Sequence, residues 1–327
     1  MSGLEPIGRV WVLNLDAESE LAATRSYAPT EQLRQIVARE RQRLIGTLTG
    51  PRDVVLDEQL LERRGPELER VRGWPGFAWC PTPRALAMLR SAGAVPMQVP
   101  PLEQLRSVNA RPFGAALRAE HAPGSFVKHC VSDLEAALVL LALPAERGWL
   151  VRREFGAAGR GRRRLHSGKP SSDECSWLQA SLRMGPLTIE PWVKIVREYT
   201  RSAWVRADGT ISISEPCAQT TTEHGAWLET QRVDGSSISS ADDQALQAMT
   251  ERVGRALHAR GYRGPFGIDA WRHRVPGSLA TALNPLSEIN ARFTMDWATA
   301  MARDPRSGVA LSELAQLTGA PVVEGGP

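Results

Sequence analysis

Lysine is nearly missing from this chain of 327 residues: among 40 basic residues only Lys128, Lys169 and Lys194 are lysines. Arginine is the default cation, so each lysine carries extra information. The excess of positive charge is small, +4 against 36 acidic residues. A nucleic-acid binder concentrates a larger excess on one face, so no nucleic-acid partner is expected. Cysteine is scarce as well. Cys80, Cys130, Cys175 and Cys217 stand alone, with no CxxC pair and no Cys/His cluster. That excludes a zinc site and a disulfide framework and fits a reducing cytoplasm. Long apolar runs are missing too. No segment reaches the ~18 uninterrupted apolar residues of a membrane span. The first twelve residues lack the basic start and apolar run of a signal peptide. No internal repeat is present. What remains is an ordinary globular composition, long enough for two or three compact units.

The first hundred residues alternate strand and helix patterns. Residues 9–15 (RVWVLNL) read as a buried strand, 31–48 as an Arg-rich amphipathic helix and 53–57 (DVVLD) as a second strand. Thr82 is a good N-cap and Pro83 a good first helical residue, so a helix is expected over 83–92. Gly93 ends it and a strand follows over 95–99. This alternation predicts a small parallel α/β domain, with a boundary near Val99-Pro100-Pro101.

Further on, 126–128 reads as a short strand. Ser132 to Glu135 reads as a capping box opening an apolar helix that Pro144 stops. Residues 149–153 form a strand, and Ser171 to Glu174 offers a second capping box. Asp208-Gly209 marks a hairpin between 196–206 and 210–214. Residues 240–243 cap a long helix that Gly261 ends. A second hairpin joins 265–274 to 281–289, a helix starts at Thr294, and the chain frays from Gly319.

Three constellations carry chemistry. Asp269 lies in one strand of the second hairpin, and Glu288 and Asn290 lie in the other. Residues two apart on a strand share a face, so two carboxylates and an amide oxygen can converge. Few hard oxygen ligands suit Mg²⁺ when phosphates and waters complete its shell. A polar strand face satisfied by hydrogen bonds is the plainer reading. The second is EFGAAGRGRRR, residues 154–164. Gly156, Gly159 and Gly161 let backbone N–H groups approach an anion, and the arginines add charge. It is neither a P-loop nor the dinucleotide fingerprint, and a plain surface hairpin stays open. The third is Ile189-Glu190-Pro191-Trp192-Val193 with Glu198 beyond it. A strand-end hinge with an apolar wall can hold adenine, and the later carboxylate can take ribose hydroxyls. An ordinary buried strand end is the alternative.

The order of these signals resembles the ATP-grasp superfamily, most closely its D-alanine–D-alanine ligase and biotin carboxylase branches, over about residues 107–305. The resemblance implies an α+β ATP-grasp fold, two α+β subdomains gripping ATP, preceded by the small parallel α/β domain. The division would be 1–100 for the leading domain and 101–125 for a linking helical region. Residues 126–193 would be the small subdomain with the Gly/Arg flap, 194–310 the C-terminal subdomain with the Mg²⁺ site, and 311–327 a tail. It further implies that Lys128 contacts the nucleotide phosphates and that Arg152 replaces the family's second phosphate-binding lysine. Gly156, Gly159 and Gly161 would belong to the flap over the triphosphate. Glu190 would meet the adenine amino group with Trp192 and Val193 at the hinge, and Glu198 the ribose. Asp269, Glu288 and Asn290 would hold one or two Mg²⁺. Arg292, closing Glu-Ile-Asn-Ala-Arg, would face the acyl-phosphate chemistry. Gly267 stands where D-alanine ligases place an arginine, which argues against that substrate. The implied reaction joins a small-molecule or peptide carboxylate to an amine at the expense of ATP. An ATP-grasp kinase and a non-catalytic nucleotide sensor are the alternatives, no membrane partner is expected, and a homodimer stays open.

Overall fold

The structure is a computed structural model that describes residues 8–23, 26–122, 127–156, 159–222, 227–233 and 237–301. The expected tail, the first seven residues and Phe126 lie outside them.

The leading elements are β1 (Val10–Val12), α1 (Ala17–Ala22), α2 (Glu31–Gln42), β2 (Val54–Val55), α3 (Glu58–Arg63), α4 (Pro66–Arg70), β3 (Pro75–Ala78), α5 (Pro83–Ser91) and β4 (Val95–Pro96). Their strands form one parallel sheet in the order β2-β1-β3-β4. This is the parallel α/β unit that the alternation of patterns predicts, although its strands are shorter. The expected helix over 31–48 stops at Gln42 and continues as turns. Asp53 ties the sheet edge: its carboxylate accepts from the Arg9 and Gly50 backbone N–H groups and from Trp11 Nε1. Thr82 does stand at the N-cap of α5, but its hydroxyl donates to Glu20 instead of capping. Glu20 in turn accepts the Arg84 backbone N–H at 2.9 Å. The helix start is thus satisfied by a carboxylate from α1, which complements its partial positive charge.

Then follow α6 (Leu102–Asn109), α7 (Arg111–His121), β5 (His129–Val131), α8 (Leu134–Ala142), β6 (Trp149–Arg153), β7 (Arg162–Leu165), α9 (Ser172–Leu182) and β8 (Leu187–Pro191). β5, β8, β6 and β7 pair antiparallel in that order. The cap of α8 is Asp133, one residue past the expected Ser132, with its side chain accepting from Ala136 N. Both residue types cap well, and the sequence does not rank them. Leu143 is extended, as a residue before proline prefers, so α8 ends at Ala142. The box at Ser171 and Glu174 forms reciprocally, as read. Lys128 precedes β5 rather than lying within it.

The rest comprises β9 (Ile195–Val205), β10 (Ile211–Ile213), β11 (Cys217–Thr221), β12 (Trp227–Arg232), α10 (Ser240–Ala259), β13 (Gly264–Arg274), β14 (Thr281–Asn290) and α11 (Trp297–Ala300). They build an antiparallel sheet ordered β12-β11-β9-β13-β14, with β10 on β9. The cap of α10 is Ser239, and the helix expected from Thr294 begins only at Trp297. No helix among the described residues is long and apolar enough to cross a membrane.

The leading sheet and the large sheet share one core. Trp11 stacks on Phe77 at 5.0 Å and meets Phe293 edge-on at 5.2 Å. Phe293 packs T-shaped on Trp297 at 5.2 Å, and Trp204 lies 5.8 Å from Trp297. Such aromatic pairs add to what burial alone gives. They fix the leading sheet against β9, β13 and the 291–297 segment, so side chains from both sides can line one cleft.

Candidate functional site

That cleft has a volume of about 920 Å³ and is lined by the large sheet, by β6, β7 and the hairpin between them, and by helices and loops of the leading domain. Its floor is the β13–β14 ladder. Asp269 is directly opposite Glu288, and Gly267 opposite Asn290. Cross-strand partners have neighbouring side chains, so the two carboxylates meet on one face, as the hairpin reading expects. Asn290 Nδ2 donates to Asp269 at 3.0 Å, while its Oδ1 accepts from Arg292 at 2.9 Å. The Asp269 carboxyl is pushed up to about 8, by desolvation first and then by the negative charges of Glu288 and Asp296. Among the described residues no group of three His, Cys, Asp or Glu could hold a metal. Two carboxylates and an amide oxygen nevertheless fit Mg²⁺, which keeps waters and phosphates as its other ligands. The repulsion from Glu288 and Asp296, which adds to the desolvation of Asp269, is what a divalent cation would relieve.

Cations face this floor. Arg152 on β6 reaches Glu190 at 3.0 Å and Glu288 at 3.7 Å. Leu150 is directly opposite Glu190, and Arg152, two residues on, shares its face. Arg111, at the start of α7, donates to Glu288 at 2.9 Å, to the Gly156 carbonyl at 2.8 Å and to the Arg153 carbonyl at 3.0 Å. Burial raises the Glu288 carboxyl, but Arg111, Arg152 and Lys128 outweigh it and hold it below the usual range. Arg111 escaped the sequence reading, because one arginine in an arginine-rich chain carries no local signal.

The Gly/Arg hairpin closes over the same space. β6 and β7 flank it, and Gly156, Gly159, Arg160 and Arg162 line the cleft. Gly159 and Gly161 have φ of +77° and +70°, in the left-handed region where glycine is at home. A Cβ on Gly156 would come within 2.5 Å of the Arg160 carbonyl. The three glycines are therefore required by the backbone path itself.

Lys128 and Glu190 lie elsewhere than a nucleotide contact suggests. Both are buried and neither lines the cleft. Lys128 Nζ pairs with Glu190 at 3.2 Å and donates to the Ser287 carbonyl at 2.8 Å. Desolvation brings the lysine down to about 8. Burial raises the Glu190 carboxyl, but Arg152 and Lys128 more than offset it and leave it lowered. Trp192 and Val193 do line the cleft at the β8 end. The Trp192 backbone N–H donates to Gly148, and the Arg164 guanidinium lies 5.6 Å from its ring centroid. Glu198 faces the cleft from β9, accepts from Thr221 at 2.7 Å and is raised by burial.

Arg292 joins the floor to the leading domain. It forms an ion pair with Glu18 and lies 5.6 Å over Trp79. Neither Glu18 nor Trp79 was legible as a site residue. Asp296 was also missed: it is buried, lines the cleft and accepts from Ser202 at 2.7 Å. At Gly267, a Cβ would stand 2.9 Å from Thr294 Cγ2, so nothing larger fits unless Thr294 yields.

No family model matches the chain, and no curated protein matches it in sequence. Solved structures do resemble it. Biotin carboxylase from Campylobacter jejuni, in a β,γ-ATP complex, superposes with a TM-score of 0.59 at 10% identity, over 98% of this chain and 72% of its own. D-alanyl-alanine synthetase A from Vibrio cholerae gives 0.54 at 13%, over 96% and 98%. PurK, an N5-carboxyaminoimidazole ribonucleotide synthetase solved with ADP, gives 0.50 at 14%, over 89% and 72%. All three are ATP-grasp enzymes, and the chain has the ATP-grasp fold. Folds host many chemistries, so the reaction rests on the cleft's own residues.

Proposed function

We propose that this chain is an ATP-dependent, ADP-forming ligase that joins a carboxylate to an amine. One observation carries the reading. Paired carboxylates, Asp269 and Glu288, lie beneath a glycine-arginine flap and beside Arg152, Arg111 and Arg292, in one cleft. A bound Mg²⁺ supplies neutralisation of phosphate charge, and Asp269, Glu288 and Asn290 are the residues that would hold it. Arg152 and Arg162 face the triphosphate, and the flap shields the site from water, which an acyl phosphate needs to survive. Trp192 and Val193 cover the base, and Glu198 takes ribose hydroxyls. Lys128 and Glu190 act behind the cleft wall by holding Arg152. Arg292 orients the carboxylate whose oxygen attacks the γ-phosphorus as ADP leaves. The amine nitrogen then attacks the acyl carbon and phosphate departs. The protein contributes position and charge, not a covalent nucleophile. Acid and amine are small molecules or peptide ends.

Mg-ATP is therefore expected to stabilise the fold, since a ligand that binds only the native state shifts unfolding by mass action. At about 100 times Kd the gain is about 2.7 kcal/mol. Thermal melts with Mg-ATP, Mg-GTP and neither report it. An unchanged midpoint at millimolar Mg-ATP contradicts the nucleotide assignment.

A further inference from the structure

One side chain ties the arm of the flap to a carboxylate of the candidate metal site. Arg111 opens α7, which runs so close to β14 that a Cβ on Gly114 would stand 3.5 Å from Ile289. From there the Arg111 backbone N–H donates to the Glu154 carbonyl at 3.2 Å. Its guanidinium donates to the carbonyls of Arg153 at 3.0 Å and Gly156 at 2.8 Å. These three carbonyls lie on the arm from which the flap rises. The nitrogen that holds Gly156, Nη2, also donates to Glu288 Oε1 at 2.9 Å. The other oxygen, Oε2, faces Arg152 at 3.7 Å.

Both oxygens of Glu288 are thus turned to guanidinium groups. A divalent cation binds through those same oxygens and repels the guanidinium groups beside them. The two arginines are themselves incompletely matched. The Nε of Arg111 and the Nε of Arg152 are buried with no hydrogen-bond partner among the described residues. Such a donor gains by finding a further acceptor. A polyphosphate supplies anionic acceptors and competes with Glu288 for both cations.

We infer that Arg111 gates the metal site. Paired with Glu288, it excludes a lone divalent cation. Nucleotide phosphate draws it away, so metal and nucleotide enter together, and the flap arm moves with it. This is regulation of the site in the ligase reading, and it rests on that reading for the metal ligands. The coupling runs both ways: a cation forced onto Glu288 loosens the hold of Arg111 on the arm.

Binding of Mn²⁺, a paramagnetic substitute for Mg²⁺, is measured on the full chain by electron paramagnetic resonance, with and without ATP. Glutamine at position 111 can still donate to a flap carbonyl but carries no charge. Without ATP, Arg111→Gln is expected to bind Mn²⁺ roughly 10- to 100-fold tighter than the parent, the worth of one charge-assisted hydrogen bond. Adding Glu288→Gln to that variant should erase the gain. Parent binding as tight as that of Arg111→Gln overturns the inference, and so does a gain that survives Glu288→Gln. A second measurement uses the parent alone and stands even if the variant fails to fold. Saturating Mn²⁺ without ATP is expected to speed tryptic cleavage at Arg160 and Arg162 at least about twofold, as the arm opens locally. Unchanged cleavage overturns the inference. Mn-ATP that binds the parent, with Mn²⁺ affinity unchanged in Arg111→Gln, removes the gate and keeps the ligase reading. Mn-ATP that does not bind the parent removes both.

Discussion

Glu288→Gln is expected to lower ADP release, basal or acid-stimulated, by about 10²- to 10³-fold, the loss seen when one preorganised electrostatic stabiliser is removed. Glutamine keeps the shape and one acceptor oxygen for Arg111, which now donates at 2.9 Å. It removes the charge that, with Asp269 directly opposite, would hold a divalent cation. The proposed base and ribose contacts, at Trp192 and Glu198, are untouched. Stabilisation by Mg-ATP should therefore fall only modestly while turnover collapses, because the missing charge acts on what develops in phosphoryl transfer. The two readouts, melting midpoint and ADP release, separate binding from chemistry. Turnover within about threefold of the parent would show that the metal site lies elsewhere, since such a change is well under 1 kcal/mol of barrier. Arg292→Ala, by contrast, should spare nucleotide binding and abolish joining of acid to amine.

The parts of this site that sequence made legible are those that depend on local spacing. Glu288 and Asn290 are two residues apart on a strand and so share a face. The Pro276-Gly277 turn sets the register only from Arg274 to Trp271; an irregularity between Trp271 and Asp269 then shifts it by two residues and brings Asp269 opposite Glu288, a step that the sequence pattern does not show. Asp208 closes its own turn by accepting from Thr210 N, with Gly209 at φ +84°, as Asp-Gly hairpins require. What stayed hidden depends on distant partners. Arg111 and Glu288 are 177 positions apart, and the Arg292 partner comes from α1 in another sheet's domain. No periodicity records such pairs. Thr82 shows the same limit on a smaller scale: its type suits a cap, but Glu20, 62 positions away, takes its hydroxyl and supplies the capping acceptor itself. Lys128 was conspicuous as one of three lysines, yet its surroundings were not readable, and they turn it from the cleft toward Glu190 and Ser287.

That buried triad sets the largest expected effect on stability. Glu190 is 2% exposed and sits between Lys128 at 3.2 Å and Arg152 at 3.0 Å, and the Lys128 side chain is as deeply buried. Glu190→Ala would leave two cations without the carboxylate that compensates them, and removal of one partner from a buried ion pair typically costs about 3–5 kcal/mol. Lys128→Met should cost less, because Arg152 still neutralises Glu190 and the methionine chain fills the vacated volume with no charge to desolvate. The order of the two losses is the diagnostic, read from urea midpoints at equal slope. Arg152 would also lose the partner that orients it, so Mg-ATP should stabilise Glu190→Ala less than the parent even where both are folded. A loss below about 1 kcal/mol in Glu190→Ala, within what an exposed pair contributes, would mean that the triad is solvated in solution. Arg152 would then be held toward the cleft by Glu288 alone, across the longer distance of 3.7 Å.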